Sequence, residues 1–565
     1  MTRLDPFLAR TDIAYFSMEI ALRPEIHTYS GGLGVLAGDT ARSCADLELP
    51  VVFVTLVSRQ GYLRQEIDQA GRQIEHPDPW QLERWAEPLG AMVAVEIEGR
   101  RVWVRPWLYV LEGGTGYRVP VILLDTDLDD NAEADRRITD VLYGDDHAGR
   151  LAQEIVLGIG GVRLLRALGC EIRTWHLNEG HSALLTVELL RRFRRDPAAV
   201  EPGECAFDVA RVREHCIFTT HTPVEAGHDR FPWPLALRLL GDWIDADQLK
   251  LLAGPDDLNM TRLALNLSGW INGVALRHAE TARRMYAGFR IRAVTNGVHA
   301  PSWAAPGFAR LFQANFPSWQ HEPEILMRAD QLDDDAVWAA HAEAKATLLA
   351  RVRALSGVEL DPERPLLGFA RRMTSYKRPT LLFSDLARLE AIARRHPFQL
   401  VIGGKAHPTD LAGKQLIAEI HGHIKRLKGI LPIVFLPNYE LDLARDLVAG
   451  VDVWLNTPLP PLEASGTSGM KAALNGVLNL SVLDGWWLEA CIAGRTGWAI
   501  GNHEAGGHES DALALYDRLE QEVLPLYESD RASWIFMMKE AISKIASYFN
   551  SARMMRRYAS EAYLR

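Results

Sequence analysis

Residues 451–482 read VDVWLNTPLPPLEASGTSGMKAALNGVLNLSV. The apolar runs at the two ends, Val451–Leu455 and Val477–Val482, have the length and composition of buried strands. Between them a Pro-rich loop leads into a stretch of Met, Lys, Ala and Leu, residues that favour a helix. Asn475-Gly476 then supplies a helix stop. Strand, helix and strand in this order predict a parallel sheet covered by helices.

The same alternation extends in both directions along the chain. Helical patterns cover 380–395 and 409–427, and further strands are predicted at Val51–Val57, Val119–Leu124, Ile172–Leu177, Cys216–Thr220, Leu366–Ala370, Gln399–Ile402 and Ile430–Leu436. We therefore predict an α/β fold whose second half is doubly wound. The predicted division is an N-terminal domain at 1–309, a C-terminal domain at 310–545, and a last helix, within a long amphipathic stretch around Ala532–Tyr563, in which 546–565 packs back on the first domain.

Composition limits the classes of partner. The chain has 565 residues, too many for one ordinary core, and a net charge of -11, which gives no general attraction for nucleic acid or an acidic membrane. No apolar run is long enough to span a bilayer, and the N-terminus has no secretion signal. The five cysteines form no CxxC pair. This usage predicts a reducing, cytoplasmic location.

The loop before Lys471 carries the strongest chemical signal. Its Ser-Gly-Thr-Ser-Gly sequence would present free backbone N–H groups at a helix N-terminus, an arrangement that binds phosphate. Lys471 lies in the same opening turns. A lysine there suits either a direct ion pair or a Schiff base to a phosphorylated aldehyde cofactor. The competing interpretation is a Gly-rich turn that caps a helix beside a solvated lysine.

Two other segments could approach an anion or a sugar. The four cations of Arg371-Arg372-Met373-Thr374-Ser375-Tyr376-Lys377-Arg378 follow the strand Leu366–Ala370, at the edge of the sheet where ligands bind. Arginine offers a planar fork for phosphate oxygens, although a basic surface run is the simpler alternative. The glycines of Tyr29–Asp39 would permit close backbone approach to a ligand, but that signal alone is weak.

Polar clusters of the first half favour a hydroxyl-rich ligand over a metal. They are His176–His181, Thr219–Pro223 and Thr295–His299. The spacing of His176, Glu179 and His181 lacks the register that places two histidines on one helical face, so we predict no metal site.

Together these segments resemble the glycogen and starch phosphorylase family. The match to the family's pyridoxal-phosphate attachment signature runs over Glu463–Asn475. Other motifs occur in family order at Tyr15–Glu19, Gly31–Gly34, Leu177–His181, Thr220–Thr222, Thr295–Trp303, Arg371–Arg378, Ile402–Lys405, Asn438-Tyr439 and Asp484-Gly485. The resemblance implies two Rossmann-like domains that face each other across a cleft, the B-type glycosyltransferase architecture.

The resemblance also implies a role for each motif residue. Lys471 would hold pyridoxal 5′-phosphate as a Schiff base, and the other cofactor contacts would come from Arg371, the backbone of Thr467 and Ser468, Tyr439 and Tyr15. Arg372, Lys377 and the backbone of Gly32 would hold the substrate phosphate. Terminal glucose and glucan contacts would come from Glu463, Ser465, Gly466, His221, Asn296, Leu33 and His181. The catalytic set would be Lys471, Arg372, Lys377, His221 and Glu463.

The implied reaction is the retaining phosphorolysis of terminal α-1,4-glucan bonds by inorganic phosphate, which releases glucose 1-phosphate. The family suggests a homodimer. Arg371 stands where animal members carry lysine, and the chain starts close to the first motif, so we expect no control by N-terminal phosphorylation. The alternatives are a sugar-nucleotide-dependent α-glucan synthase, a glucan-binding protein without activity, and an amino-acid-type pyridoxal enzyme. Lys471 within the full signature argues against the synthase.

Overall fold

The computed structural model describes residues 4–8, 10–144, 146–201, 204–224, 227–241, 243–502 and 507–564. Within these residues, two large sheets dominate, one in each half of the chain. Helices cover both sheets, so the α/β fold class predicted from the sequence is confirmed.

The first sheet is parallel over most of its width and antiparallel at one edge. In spatial order its strands are Ile291–Ala293, Trp270–Gly273, Cys216–Thr219, Thr174–Asn178, Ile13–Phe16, Val51–Leu56, Arg118–Asp125, Arg100–Glu112 and Glu87–Pro88, with Val93–Ile97 paired to Arg100–Glu112. Two small antiparallel pairs stand apart, Arg64–Ile67 with Gln73–His76 and Arg230–Pro232 with Asp257–Asn259.

The second sheet is parallel throughout, in the order Ile433–Leu436, Gln399–Gly403, Leu366–Ala370, Val453–Asn456, Leu478–Val482, Gly497–Ile500. The strand order reverses beside Leu366–Ala370, as in a doubly wound Rossmann sheet. The strand predicted at Ile430–Leu436 begins only at Ile433. Pro432 has no N–H to donate to a neighbouring strand, so pairing starts after it.

The helices of the first half, including short 3₁₀ turns and one π segment, are Asp5–Leu8, Gly32–Asp46, Leu82–Trp85, Glu133–Arg136, His147–Ile155, Val156–Gly160, Gly161–Ala167, Gly180–Ser182, Leu184–Arg192, Pro197–Ala199, Val209–His215, Trp233–Leu240, Ala246–Ala253, Met260–Asn266, Leu276–Met285, Ala300–Trp303 and Pro306–Asn315. Those of the second half are Pro323–Gln331, Asp334–Ser356, Ser375–Lys377, Leu381–Phe383, Leu386–Arg395, Leu411–Arg426, Leu441–Gly450, Ser468–Leu474, Trp487–Ala490, His508–Arg518, Leu519–Val523, Leu524–Ser529, Arg531–Ala541, Ile542–Ala546, Ser551–Tyr558 and Ala559–Tyr563.

A hairpin from the first half joins the two halves. The Gln65 side chain accepts from the Asn438 backbone N–H at 2.8 Å and donates to the Gly404 carbonyl at 2.9 Å. The Gln73 side chain makes a reciprocal pair of 2.9 Å bonds with the backbone of Ala406. Both partner loops follow strands of the second sheet, so the hairpin fixes how the two sheets face each other.

The prediction of one long helix around Ala532–Tyr563 is wrong. The chain leaves the helix after Ala546, because its backbone at Phe549 and Ser551 pairs with Val298 at 3.0 and 2.9 Å. Asn550 then caps the next helix by accepting from the Arg553 N–H. That helix lies on Gly32–Asp46, where Ser551 Oγ is 2.6 Å from Ser43 Oγ.

Among the residues that the structure describes, no helix combines the length and the apolar content needed to cross a bilayer.

Candidate active site

Three side chains of the second half meet in one buried ion cluster. Glu463 Oε2 accepts from Lys377 Nζ at 2.5 Å and from Arg371 Nη2 at 2.7 Å. Burial opposes the charge on Glu463, but the two cations outweigh it and lower the pKa of the carboxyl to about 2. Arg371 and Lys377 follow the strand Leu366–Ala370, and Glu463 follows the adjacent strand Val453–Asn456. The sheet topology therefore assembles residues that are far apart in sequence.

Several polar atoms in and near this cluster have no hydrogen-bond partner among the described residues. Arg371 Nε and Nη1 and Ser465 Oγ are buried and have no hydrogen-bond partner within the described part of the chain. Buried polar atoms are nearly always paired with protein or with water, so these atoms are available to a ligand or to a water molecule. Donors of this kind suit anionic oxygens.

Lys471 lies in the helix Ser468–Leu474 and is buried. Its Nζ is 3.9 Å from the centre of the Trp303 ring, which reaches it from the first half. Burial lowers the pKa of Lys471 to about 8, partly offset by the charge of Asp39. With this pKa the amine has a far larger neutral fraction near physiological pH than an ordinary lysine, and the neutral form is the one that attacks a carbonyl carbon.

The turn before this helix is shaped by close backbone packing. Gly466 has a φ of 90°, a conformation that favours glycine. Thr467 is the N-cap, and Ser468 Oγ accepts from the Trp454 indole N–H at 3.0 Å. The Glu463 backbone N–H donates to Asp484 Oδ2 at 2.8 Å, and burial raises the pKa of that aspartate to about 6.

Arg372 and Tyr439 are two further residues of the predicted site, and Tyr439 lies near enough to Arg371 to be affected by its charge. Tyr439 packs beside Gly403, and burial raises the pKa of its phenol while the Arg371 charge opposes that rise. Arg372 faces the first half. Desolvation opposes the charge on Arg372, but interactions with Tyr376, Glu19, Tyr143 and Tyr62 outweigh it, so the pKa of Arg372 is raised.

The opposite wall begins with Glu19, which follows the strand Ile13–Phe16. Its Oε2 accepts from the backbone N–H groups of Ser30 and Gly31 at 2.6 and 3.2 Å, and its Oε1 accepts from the Tyr143 hydroxyl at 2.7 Å. These bonds hold the turn that opens the helix Gly32–Asp46. Gly32 faces open space, since a Cβ there would meet nothing within 4 Å. Glu19 thus holds the turn in which Gly32 borders open space.

A second part of this wall is organised around Glu179. Its Oε2 accepts from the His221 backbone N–H at 2.6 Å and from Thr222 Oγ1 at 3.0 Å. The His221 ring lies 2.6 Å from Asn178 Oδ1, to which its Nε2–H donates. Burial lowers the pKa of His221 to about 4, so the ring is neutral at physiological pH. His181 stands nearby, with Nε2 3.2 Å from Asp229 Oδ2.

Asn296 is a buried residue with an unused acceptor. Its backbone N–H donates to Val274, while its side-chain Oδ1 has no partner among the described residues. It precedes the segment that carries Trp303.

Two residues of the predicted motifs serve the fold. Tyr15 is buried in the layer beneath the first sheet, with its ring 4.9 Å from Phe53 and 4.6 Å from His176. Tyr15 packs in a core cluster with residues of the helices Gly32–Asp46 and Ser551–Tyr558, and its place in a cofactor pocket stays a prediction. Arg378 turns away from the cation cluster to Asp511 at 2.7 Å and to the carbonyls of Thr457 and Pro458.

Sequence reasoning assigned no individual role to several residues that build the site. These are Glu19, Asp39, Asn178, Glu179, Trp303 and Asp484. Each stands inside a motif that was recognised, but their work is to hold backbone N–H groups or other side chains. Only the folded geometry reveals such contacts.

Comparisons with known proteins agree with this geometry. Residues 230–494 match the family described as carbohydrate phosphorylase. Maltodextrin phosphorylase of Thermococcus litoralis is 37% identical over 98% of this chain and 70% of the relative. Glycogen phosphorylase of Mycobacterium bovis is 38% identical over 98% and 71%, and that of Aquifex aeolicus is 35% identical over 98% and 86%. Similarity at this level across almost the whole chain shows that it belongs to the carbohydrate phosphorylase family.

Proposed function

We propose that the protein is an α-glucan phosphorylase that cleaves terminal α-1,4 bonds with inorganic phosphate and releases α-D-glucose 1-phosphate. The observation that carries the proposal is the buried cluster of Arg371, Lys377 and Glu463, in which Arg371 keeps unpaired donors. The loop that follows Glu463 leads into the helix that carries buried Lys471. We take residues 1–309 and 310–545 as the two domains whose loops form the site.

The residues around Lys471 fit pyridoxal 5′-phosphate. A buried amine whose pKa is lowered to about 8 suits the aldehyde of that cofactor, because its neutral form is more populated than in an ordinary lysine. Arg371 offers unpaired donors for the cofactor phosphate, together with the backbone of Thr467 and Ser468, and Tyr439 supplies an aromatic wall. When bound, the cofactor supplies a phosphate group able to exchange a proton with the substrate phosphate, since a phosphate monoester has its second pKa near ~6.

Arg372, Lys377 and the backbone of Gly32 would bind the substrate phosphate. Two dianionic groups in one site repel each other. Even two unit charges ~4 Å apart repel by about 4 kcal/mol at an effective dielectric constant of about 20. The guanidinium groups and the lysine offset that repulsion. Gly32 contributes a backbone N–H in open space, where a phosphate oxygen can approach without meeting a side chain.

The glucose unit would lie against groups that are neutral or already paired. Neutral His221 and the side chains of Asn296, Ser465 and His181 offer donors and acceptors for hydroxyl groups. The backbone of Gly466 and Leu33 would complete the contact surface. Such a wall selects a sugar over a charged ligand.

Glu463 would position the sugar and would not donate a proton. With a pKa of about 2 it is ionised at physiological pH. The proton for the departing glycosidic oxygen would therefore come from the substrate phosphate, which Arg372 and Lys377 hold on the side of the bond being cleaved. Because no pair of side-chain carboxylates is needed, the chemistry differs from that of ordinary glycosidases. Attack by phosphate from the same face gives retention.

Two further features belong to the proposal. We place the reaction in the cytoplasm, which is supported by five cysteines that are all free. We propose a homodimer as the assembly, on family grounds.

The test compares two sugar donors. The protein is incubated with maltodextrin and phosphate, or with UDP- or ADP-glucose and maltodextrin, and the products are followed by ³¹P and ¹H NMR. We expect α-glucose 1-phosphate in the first incubation and no glucan elongation in the second. Elongation without glucose 1-phosphate would identify a synthase instead.

A further inference from the structure

The segment from His299 to Ala305 contacts both halves of the chain, and its Trp303 lies against Lys471. On one side, His299 Nε2 donates to Asp46 Oδ2 at 2.7 Å on the helix Gly32–Asp46. On the other side, the Asn475 side chain accepts from the Ala305 N–H at 2.7 Å and donates to the Trp303 carbonyl at 2.9 Å. Asn475 directly follows the helix that carries Lys471, so this segment ties that helix to the first half.

Asp39 is the residue that holds the Trp303 side chain. The indole N–H lies 2.9 and 3.1 Å from the two carboxylate oxygens of Asp39, which is buried. The His299 backbone N–H donates to the same carboxylate at 3.3 Å, and Arg42 Nη1 is 3.7 Å away. A charged acceptor makes the indole bond stronger than a neutral one would.

The Asp39 helix cannot shift easily to release this contact. A Cβ at Gly38 would lie 2.1 Å from the Ala21 carbonyl oxygen, so the helix touches the neighbouring loop with no space between. Arg42 also donates to the carbonyls of Ala21 and Leu22. Trp303 is therefore held by a rigid element.

The held indole ring meets Lys471. Its face is 3.9 Å from Nζ, a distance at which a protonated amine is attracted to the ring. The negative charge of Asp39 acts on the amine as well, in the direction opposite to burial.

We propose that Asp39 is a positioning residue for the cofactor-binding lysine: it holds the Trp303 indole against Lys471 and so fixes where that amine meets the cofactor aldehyde. This role rests on the proposed function, since it presumes that Lys471 binds pyridoxal phosphate. It also makes the cofactor site depend on both halves of the chain.

Asp46 provides a matched control. It lies on the same helix and binds the same segment through His299, and it also accepts from the Gly114 N–H at 2.7 Å. It does not hold the indole. A merely structural role for Asp39 would make Asp39→Asn and Asp46→Asn behave alike.

The experiment measures cofactor uptake by the stripped protein, not turnover. Pyridoxal phosphate is titrated into wild type, Asp39→Asn, Trp303→Phe and Asp46→Asn, with binding followed by cofactor absorbance and the uptake rate followed against pH. Thermal unfolding of each stripped protein reports whether it remains folded.

We expect the dissociation constant to rise about tenfold in Asp39→Asn, because a charge-assisted hydrogen bond is lost. The pH midpoint of uptake should fall below that of wild type, because the group that raises the pKa of Lys471 is gone. Trp303→Phe should weaken binding with little change in the midpoint, since Asp39 keeps its charge. Asp46→Asn should match wild type in both.

Equal affinity and midpoint in wild type and Asp39→Asn would overturn the role of Asp39. So would equal losses in Asp39→Asn and Asp46→Asn. Failure of the wild-type protein to take up pyridoxal phosphate would overturn the cofactor assignment of the proposed function, and the role of Asp39 with it.

Discussion

The two walls of the cleft use charge in opposite ways. On the wall from the first half, the carboxylates of Glu19 and Glu179 already accept backbone N–H groups. On the wall from the second half, Arg371 is buried with donors unpaired. The difference teaches that the carboxylates of the first wall are already paired, whereas the second wall has unpaired cationic donors that suit an anion. We therefore expect the cations that bind phosphate to lie on the second wall, while the histidines and Asn296 of the first wall contribute mainly to sugar recognition.

The largest effect is expected at Lys471. Lys471→Ala removes the cofactor anchor, and loss of a proton-transferring group typically reduces the rate by about 10²–10⁴-fold. Absorbance should show no bound cofactor, and glucose 1-phosphate release should fall accordingly. The variant's melting temperature serves as the control for folding. Full activity without a bound cofactor would contradict the mechanism.

Substitutions of two arginines should have different effects: one should change stability and the other the KM for phosphate. Arg378→Gln leaves Asp511 buried without its cation, and breaking a buried pair costs about 3–5 kcal/mol of unfolding free energy. Arg372→Gln should instead raise the KM for phosphate by about 10–100-fold while the melting temperature stays unchanged.

Denaturant unfolding and phosphate-dependent kinetics on both variants check this contrast. A stable Arg378→Gln protein with a high phosphate KM would reverse the two assignments.

The ion cluster predicts a specific acid response. The folded pKa of Glu463, about 2, lies below the ordinary glutamate value, so its ionisation stabilises the fold above about pH 4.3 and that stabilisation is lost as the pH falls toward 2. The contribution is about 3 kcal/mol. Unfolding free energies between pH 2 and 5 should fall more steeply in wild type than in Glu463→Gln. Parallel curves would mean that the cluster does not form.

The smallest effect is expected on the first wall. Glu179→Gln replaces one carboxylate oxygen by an NH2 group. At least one of its present donors, the N–H groups of Gly180 and His221 and the Thr222 hydroxyl, then loses its acceptor, at a cost of about 1–3 kcal/mol. The KM for maltodextrin should rise while the KM for phosphate stays constant. Glu188→Gln, which alters a buried glutamate paired with Arg192, is the matched control. A higher KM for phosphate in Glu179→Gln would contradict the assignment of Glu179 to the part of the site that binds the sugar.

The sequence predicts five of the six described strands of the second sheet, all but Gly497–Ile500, and only four of the ten described strands of the first. Leu366–Ala370 and its basic loop were predicted because apolar strands followed by polar loops repeat regularly there. The sequence pattern does not predict the short strands Ile13–Phe16 and Trp270–Gly273, because four residues are too few to show a clear periodicity. The break after Ala546 was missed because its cause, pairing with Val298, lies far away in sequence.

The site shows the same limit. Motif matching found Lys471 and the cations, since their chemistry is local. The contacts of Asp39 with Trp303 and of Glu179 with His221 depend on tertiary geometry, and no spacing rule predicts them.

The most direct measurement of the central claim is glucose 1-phosphate release from maltodextrin and phosphate, before and after pyridoxal phosphate is stripped and restored. We predict activity that disappears with the cofactor and returns with it. Release that is unchanged in the stripped protein, or absent in every cofactor state, would contradict the account.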